Sequence, residues 1–205
     1  MRIIAGVYKG RKIQAVPGRV TRPTTDRVRE AWASTLASLV ASSSFDGLKV
    51  LDAFAGSGAL GLELLSRGAV TCLFIERDRK ALATLRANIE TLGLVGTTAQ
   101  VAATDTLSPR LPDNIRTRSP FDLVVLDPPY DLAPEKVREL LDTLAKAQLL
   151  TTQSLISYEH ANSADAHRAD MDGCFLGLSE KPLKLSLEKS RIYGTIKLDY
   201  YCCTY

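Results

Sequence analysis

The fold is decided by the stretch Leu48–Gly61, LKVLDAFAGSGALG. Its apolar first half predicts a buried strand, and the residues after the glycines predict a helix. Gly56, Gly58 and Gly61 match the pattern G-x-G-x-x-G, in which glycines let the backbone approach a ligand beside the positive N-terminus of a helix. This order of elements indicates an open α/β sheet with a nucleotide-like ligand at its carboxyl edge.

Strands and helices alternate on both sides of this stretch. Strands are expected over Leu48–Phe54, Thr71–Glu76, Thr98–Ala102, Phe121–Leu126 and Ser154–Tyr158, with helices from Asp26 and over Ser57–Ser66, Asp78–Leu92 and Pro134–Lys146. Such alternation predicts right-handed βαβ units in a Rossmann-like, mostly parallel sheet with helices on both faces. Lys184–Glu188 and Ile196–Cys203 have no helix between them and predict a terminal antiparallel hairpin, which makes seven strands.

Composition fits one soluble domain with a small appendage. The 205 residues are 45% hydrophobic, the apolar runs are strand-sized, and the N-terminus lacks the apolar core of a signal peptide, so we expect a cytoplasmic protein. The four cysteines lack metal-ligand spacing and are expected to be reduced packing thiols, so no metal site is predicted. His160 and His167 are predicted to be solvated loop residues.

Basic charge is concentrated at the start of the chain. Residues 1–30 hold eight Lys and Arg against two acids, a net +6, so the remainder carries −3 of the overall +3. Residues 1–25 are predicted to form a basic β-hairpin arm, with Val7-Tyr8 and Lys12-Ile13 flanking a turn at Gly10, and residues 26–205 the main domain. The arm favours a polyanionic partner, for which phosphate contacts are expected from Lys9, Arg11, Lys12 and Arg22, with Thr24, Thr25 and Arg27 at the following helix start.

A second informative stretch is Asp127-Pro128-Pro129-Tyr130, which follows the strand Phe121–Leu126. Two prolines end a strand and fix a rigid turn. The turn presents a carboxylate, backbone carbonyls and an aromatic ring at the ligand-binding edge of the sheet. Such a set suits a planar base that bears an exocyclic amino group.

The glycine loop alone is compatible with a dinucleotide or with S-adenosylmethionine. Glu76 ends the second strand, where a ribose-binding carboxylate belongs. Asp52, four residues before Gly56, suits a cationic amino-acid group better than a pyrophosphate, and a hydride-transfer enzyme has no evident use for the Asp-Pro-Pro-Tyr turn. These points favour S-adenosylmethionine, and the expected cofactor-binding residues are Asp52, Phe54, Gly56, Gly58, Glu76, Arg77 and Asp105.

With these motifs the chain resembles the class I S-adenosylmethionine-dependent methyltransferases, and Asp127–Tyr130 resembles the motif of their amino-methylating members. The string Arg22–Glu30, RPTTDRVRE, is similar to the small bacterial 16S rRNA guanine-N2 methyltransferases. This resemblance implies methylation of one guanine of 16S rRNA within an assembled or assembling small ribosomal subunit. Nothing in the sequence demands more than a monomer.

Two other functions remain open from the residues themselves. A DNA amino methyltransferase would share the chemistry, although no insertion of target-recognition size is available. A nucleic-acid-binding module with an idle cofactor site is the second alternative, and the set Asp52, Gly56, Gly58, Glu76 and Asp127 argues against it. In the favoured hypothesis Asp127 and the Pro128 carbonyl accept the amino hydrogens, Pro129 holds the turn and Tyr130 stacks on the base.

Overall fold

The computed structural model describes residues 1–18, 26–40, 44–94, 96, 98–108, 111, 112, 115, 120–162, 170–177 and 181–205. The predicted positions Arg22, Thr24, Thr25 and His167 lie outside these residues. The chain divides into two compact units, Met1–Asp105 and Thr106–Tyr205. The predicted boundary after residue 25 separates a basic arm from the main domain. The division into compact units does not test it, so it stays a prediction.

The first unit contains three parallel strands joined by helices. Its elements are α1 (Asp26–Leu39), β1 (Lys49–Asp52), α2 (Ala59–Ser66), β2 (Thr71–Glu76), α3 (Arg79–Thr91) and β3 (Ala99–Ala103). The strand order is β3-β2-β1, with β2 paired in parallel to both neighbours. This arrangement brings the ends of β1 and β2, and therefore Asp52 and Glu76, to the same edge.

Local sequence explains the helices of this unit. The Asp78 side chain caps α3 by accepting a hydrogen bond from the Ala81 N–H at 2.8 Å. Ala81, Leu82, Leu85 and Ile89 of α3 recur at helical spacing and are buried. Trp32 of α1 is 2% exposed, so its predicted place in the core is confirmed.

The N-terminal arm forms an antiparallel backbone pairing, but its first strand lies earlier in the chain than predicted. Ile3 donates to the Arg11 carbonyl at 3.0 Å, Ile13 donates to the Met1 carbonyl at 3.1 Å, and Arg2 faces Lys12 in an antiparallel bridge. The predicted strand at Val7-Tyr8 is wrong, because these residues lie in the turn. Hydrogen bonds to the rest of the unit, described below, hold the turn.

The second unit contains two parallel strands followed by three antiparallel ones. Its elements are β4 (Leu123–Leu126), α4 (Pro134–Lys146), β5 (Leu155–Ala161), β6 (Phe175–Leu176), β7 (Leu183–Tyr193) and β8 (Ile196–Thr204). The strand order is β4-β5-β8-β7-β6, parallel only between β4 and β5. The described residues thus form eight strands, one more than predicted, since the two-residue β6 was not foreseen. The mostly parallel α/β fold with a terminal antiparallel hairpin is confirmed.

Two predictions for the second unit are wrong. β7 does not end at Glu188 but runs to Tyr193, with an irregularity of register between Leu187 and Lys189. One extra residue at this irregularity breaks the alternation of side chains, so the pattern of the first part of the strand does not continue across it. His160 is not a solvated loop residue: it lies in β5, is 6% exposed, and its Nε2 atom is 2.9 Å from Asp199 Oδ2.

Asp199 of β8 organises a buried polar cluster. Ser190 donates to its Oδ1 atom at 2.5 Å, and the Lys197 ammonium lies 3.0 Å from Oδ2, which also contacts His160. Burial alone would raise the pKa of Asp199, but the hydrogen bonds from His160, Ser190 and Lys197 outweigh burial and lower it. The cluster therefore joins β5, β7 and β8 and stabilises the terminal hairpin.

All four cysteines are free thiols, and Cys72 and Cys203 are buried. Among the residues that the structure describes, no helix is long and apolar enough to cross a membrane.

We expect Asp199→Asn to lower the free energy of unfolding at neutral pH by about 3 kcal/mol, because it leaves the neighbouring cation without its buried counter-ion. The pKa of Asp199 is lower in the folded protein, so its ionisation stabilises the fold above the ordinary value of 3.8 and this contribution is lost as pH falls. The difference between wild type and variant should therefore shrink in acid. Urea unfolding across pH measures it.

The matched control is Glu139→Gln, which removes an exposed ion pair with Lys136 on α4 of the same unit. It should leave the unfolding free energy within error of wild type. Equal losses in both variants would contradict a special role for the Asp199 cluster.

Candidate functional site

The glycine loop connects β1 to α2 and uses its glycines in different ways. Gly56 and Gly58 have φ of 56° and 82°, in the left-handed region that favours glycine. A Cβ atom on Gly61 would come within 2.4 Å of the Phe74 ring and 2.7 Å of the Cys72 sulfur, so this glycine lets α2 pack closely on β2. A Cβ on Gly56 would meet nothing within 4 Å, so the space beside this residue is open.

The Glu76 carboxylate holds the loop against the end of β2. Its Oε2 atom accepts the Gly56 N–H at 2.8 Å, and its Oε1 atom accepts the Arg77 and Asp78 N–H groups at 2.8 and 2.7 Å. A carboxylate oxygen can accept about two hydrogen bonds. By this count Oε2 retains capacity for one further donor, such as a hydroxyl group of a ligand.

Asp52 faces into the loop and is 1% exposed. Its Oδ2 atom accepts the Gly61 N–H at 3.1 Å, at the first turn of α2. Burial is the main cause that raises the pKa of Asp52 to about 7; the nearby Glu76 charge also raises it, and the hydrogen bonds from Gly61 and Phe54 oppose the rise. The observed contacts give Asp52 a positioning role in the loop, and a direct contact with a cofactor stays a prediction.

The remaining predicted cofactor residues lie at the surface of the same unit. Arg77 Nη1 and Asp105 Oδ2 form an exposed ion pair at 2.7 Å, which joins the ends of β2 and β3. Phe54 is half-buried in the turn after β1. The first unit thus holds the loop by two separate carboxylates: Glu76 accepts from Gly56, and Asp52 accepts from Gly61.

Asn88 of α3 is a site residue that sequence reasoning missed. Its side chain is fully buried, accepts the Gln14 N–H at 2.7 Å, and donates to the carbonyls of Gln14 and Ser57 at 3.0 and 2.9 Å. One amide therefore links the basic arm to the glycine loop. The available signal was an amide on the apolar stripe of α3, three residues after Leu85.

A second anchor joins the arm to α2, the helix that follows the loop. The fully buried Glu63 accepts the N–H groups of Ile4 and Ala5 at 2.8 and 3.0 Å. Ser66 donates to the Ala5 carbonyl and accepts the Tyr8 N–H at 3.0 Å. An acid inside the apolar run ALGLELLS was the signal for this contact.

The cations of the arm face solvent. Lys9, Arg11 and Lys12 are exposed, as is Arg27 in α1, whereas the predicted contacts Arg22 and Thr24 lie outside the described residues. These exposed positions are compatible with a polyanionic ligand.

The Asp127–Tyr130 turn belongs to the second unit and follows the fully buried strand β4. Asp127 is half-buried, Pro128 is buried and Pro129 is exposed, and the Pro129 carbonyl accepts the Leu132 N–H at 2.9 Å. The Tyr130 hydroxyl donates to Glu159 Oε1 on β5 at 3.1 Å, and Glu159 is 6% exposed. The aromatic ring is therefore anchored to the neighbouring strand by a contact that the sequence did not indicate.

Within the described parts of the chain, no group of three or more His, Cys, Asp or Glu side chains is arranged to hold a metal ion.

Solved structures confirm the class of fold. A putative methyltransferase from Escherichia coli matches with a TM-score of 0.72 and 31% identity, covering 99% of this chain and 97% of that one. A putative methylase from Haemophilus influenzae matches with a TM-score of 0.70 and 28% identity, covering 100% and 98%. The fold is therefore the class I methyltransferase fold.

The chain belongs to the family described as conserved hypothetical protein 95, whose model matches residues 1–201. It is 41% identical over 160 residues to a putative rRNA methyltransferase of Bacillus subtilis, covering 78% of this chain and 82% of that protein. It is 31% identical over 201 residues to ribosomal RNA small subunit methyltransferase D of Escherichia coli, covering 98% and 89%. These relatives confirm the family resemblance drawn from the sequence.

We expect Asp52→Asn to change how stability depends on pH. Because the pKa of Asp52 rises from 3.8 to about 7 on folding, the folded protein holds a proton in this range that the unfolded chain releases. As pH rises from about 4 to about 7, the wild-type unfolding free energy should fall by up to about 4 kcal/mol because of this group. The variant should lack that fall. Urea unfolding at a series of pH values tests this.

Glu90→Gln, at an exposed position of α3, is the control and should preserve the wild-type pH profile. If Asp52→Asn also follows the wild-type profile, Asp52 is ionised in the folded protein throughout this range.

We expect Asn88→Ala to loosen both the arm and the glycine loop. It leaves three backbone groups without their partner, each worth about 1–3 kcal/mol when buried and unsatisfied. Hydrogen exchange at the Gln14 amide should accelerate relative to amides in the middle of β2. Thr91→Ala, on the exposed side of the same helix, is the control, and unchanged Gln14 exchange in Asn88→Ala would argue against the link.

Proposed function

We propose that the protein methylates the exocyclic N2 amine of a guanine in 16S rRNA of the small ribosomal subunit, with S-adenosylmethionine as the methyl donor. The observation that carries this proposal is the Asp127–Tyr130 turn, which follows a buried strand and has its aromatic ring anchored by Glu159. The names of the relatives, an rRNA methyltransferase and a small subunit methyltransferase, support rRNA as the substrate.

The first unit offers features that fit S-adenosylmethionine. The loop is open beside Gly56, and Glu76 Oε2 has room for one more donor, as a ribose hydroxyl would provide. The acid pair Asp52 and Glu76 also favours the positive charge of the donor's sulfonium and amino groups, with Asp52 contributing where it is ionised, above its pKa of about 7. When bound, S-adenosylmethionine supplies a methyl group that its sulfonium already activates.

The residues of the turn then have to position a weak nucleophile. The lone pair of the guanine amine is delocalised into the ring, so Asp127 and the Pro128 carbonyl accept its two hydrogens and direct the lone pair towards the methyl group. Good alignment can supply about 7–11 kcal/mol of a barrier. Tyr130 stacks on the base, worth about 1–3 kcal/mol, and Pro129 keeps the turn rigid. The released proton passes to Asp127 or to water.

The base must leave its stack to reach such a turn. An exposed rRNA loop meets this need at low cost. Lys9, Arg11, Lys12 and Arg27 are exposed and fit contacts with the phosphates around it, and we assign Arg22 and Thr24 to the same role from the sequence. A cytoplasmic location and a monomeric state belong to the same proposal.

The substrate is tested with labelled S-adenosylmethionine and three acceptors: unmethylated small subunits, 16S rRNA transcribed in vitro, and duplex DNA. Digestion and nucleoside identification should give N2-methylguanosine from the ribosomal substrates. Methyladenine or methylcytosine would disprove the base assignment, and label in DNA would favour the DNA methyltransferase. No transfer to any acceptor would favour a binding module.

We expect Asp127→Ala to lower methyl transfer about 100-fold or more while S-adenosylmethionine binding is retained, because the amine loses an acceptor that aligns it. Single-turnover kinetics and calorimetry measure the two properties. The control is Asp131→Ala, which removes an exposed carboxylate just after the turn and should leave both unchanged. If Asp127→Ala loses donor binding as well, Asp127 serves the cofactor or the fold instead.

A further inference from the structure

The β7–β8 hairpin extends beyond the Asp127–Tyr130 turn at the same edge of the second unit. β4 ends at Leu126, which pairs with Tyr158, whereas β5 continues for three residues to Ala161. Ala161 pairs with Ile196, and Ile196 pairs with Tyr193 at the end of β7. At about 3.3 Å per residue, the tip stands roughly 10 Å past the end of β4.

Side chains that are paired across neighbouring strands lie on the same face of a sheet. Glu159 pairs with Leu198, and Leu198 pairs with Arg191, so these three form one row across the sheet. Lys189 and Tyr193 lie two residues to either side of Arg191 and share its face. This face therefore carries the Tyr130–Glu159 contact and, two strands or about 10 Å away, a row of two cations and one aromatic ring.

The irregularity in β7 decides which side chains occupy this face. Leu187 pairs with Tyr201 and Lys189 pairs with Tyr200, so Glu188 is an extra residue and the alternation shifts by one after it. In regular pairing Glu188, Ser190 and Ile192 would occupy the face of Glu159. The bulge instead directs Ser190 to Asp199 on the opposite face and presents Lys189, Arg191 and Tyr193 beside Glu159.

The cations on the two faces differ in their surroundings. On the face of Asp199, the Lys197 charge is neutralised by the buried carboxylate at 3.0 Å. On the other face, the ion pairs found among the described residues include neither Lys189 nor Arg191. Arg191 is exposed and donates to the neighbouring Ser190 carbonyl at 3.1 Å, and Lys189 is half-buried. Two available positive charges and a half-buried tyrosine suit an anionic chain of planar groups better than an apolar partner.

We propose that Lys189, Arg191 and Tyr193 form a second RNA-docking surface that binds single-stranded nucleotides next to the target base. Lys189 and Arg191 contact phosphates, and Tyr193 stacks on a flanking base. This surface lies in the second unit and is separate from the basic arm of the first. The inference rests on the proposed function, because it assigns the same RNA as the ligand.

The test uses the full chain with the double variant Lys189→Gln/Arg191→Gln. Filter binding to in vitro 16S rRNA and to unmethylated small subunits is measured across a series of salt concentrations. We expect affinity to fall roughly tenfold or more, with a salt dependence shallower by about one to two released counter-ions. Because the glycine loop is untouched, S-adenosylmethionine affinity should stay at the wild-type value.

Lys184→Gln is the matched control, since it removes an exposed cation from the opposite end of the same strand. It should bind RNA like wild type. Tyr193→Ala should weaken binding roughly tenfold at all salt concentrations, and Tyr193→Phe should restore it, because stacking needs the ring and not the hydroxyl. Thermal unfolding checks that each variant is folded.

The outcomes separate this inference from the proposed function. If wild type methylates rRNA and the double variant binds RNA with wild-type affinity and salt dependence, the docking surface is disproved while the function stands. If wild type neither binds nor methylates rRNA, both are disproved. Equal losses in the double variant and in Lys184→Gln would show a general effect of charge and would also overturn the assigned surface.

Discussion

The hydrogen bonds accepted by Glu76 are the constraint on which the first unit depends. One carboxylate holds the Gly56 N–H and the first two N–H groups after β2, so the loop and the strand end form one body. The loop leads into α2 and is contacted from α3 by Asn88, and both helices also hold the arm. The basic arm is therefore built onto the two helices that flank the loop, which explains why a polar amide and a buried acid are tolerated in the core.

The edge of the second unit is shaped by a proline turn and by the pairing of its strands, and not by glycines. The turn after β4 owes its rigidity to two prolines, and its ring is anchored by Glu159. The same face of the sheet continues to β7. There one bulged residue, Glu188, shifts the register by one, so that each later side chain of β7 points to the opposite face from the one that regular pairing would give it. The Asp199 cluster supports this exchange from the opposite face, because Ser190 reaches it only in the shifted register.

Much of this organisation was predictable, because it rests on local pattern. The bounds of β2 and α4 agree residue for residue with the alternation and the helical spacing, and α1 begins at the predicted Asp26. The wrong predictions concern residues whose burial and contacts depend on partners distant in sequence. His160 follows a strand and precedes polar residues, so it looked solvated, but antiparallel pairing places it against Asp199, 39 residues later. No local signal reports such a partner.

The sequence by itself determined the mostly parallel α/β fold and the two motifs of the candidate site, since glycines, prolines and apolar periodicity act over a few residues. Only the tertiary structure decided what each polar group contacts. It made Asp52 a buried acceptor for Gly61, with a pKa raised to about 7, and it linked the arm to the loop through Asn88. The physical reason is that hydrogen bonding and burial depend on neighbours brought together by packing, which the order of residues does not specify locally.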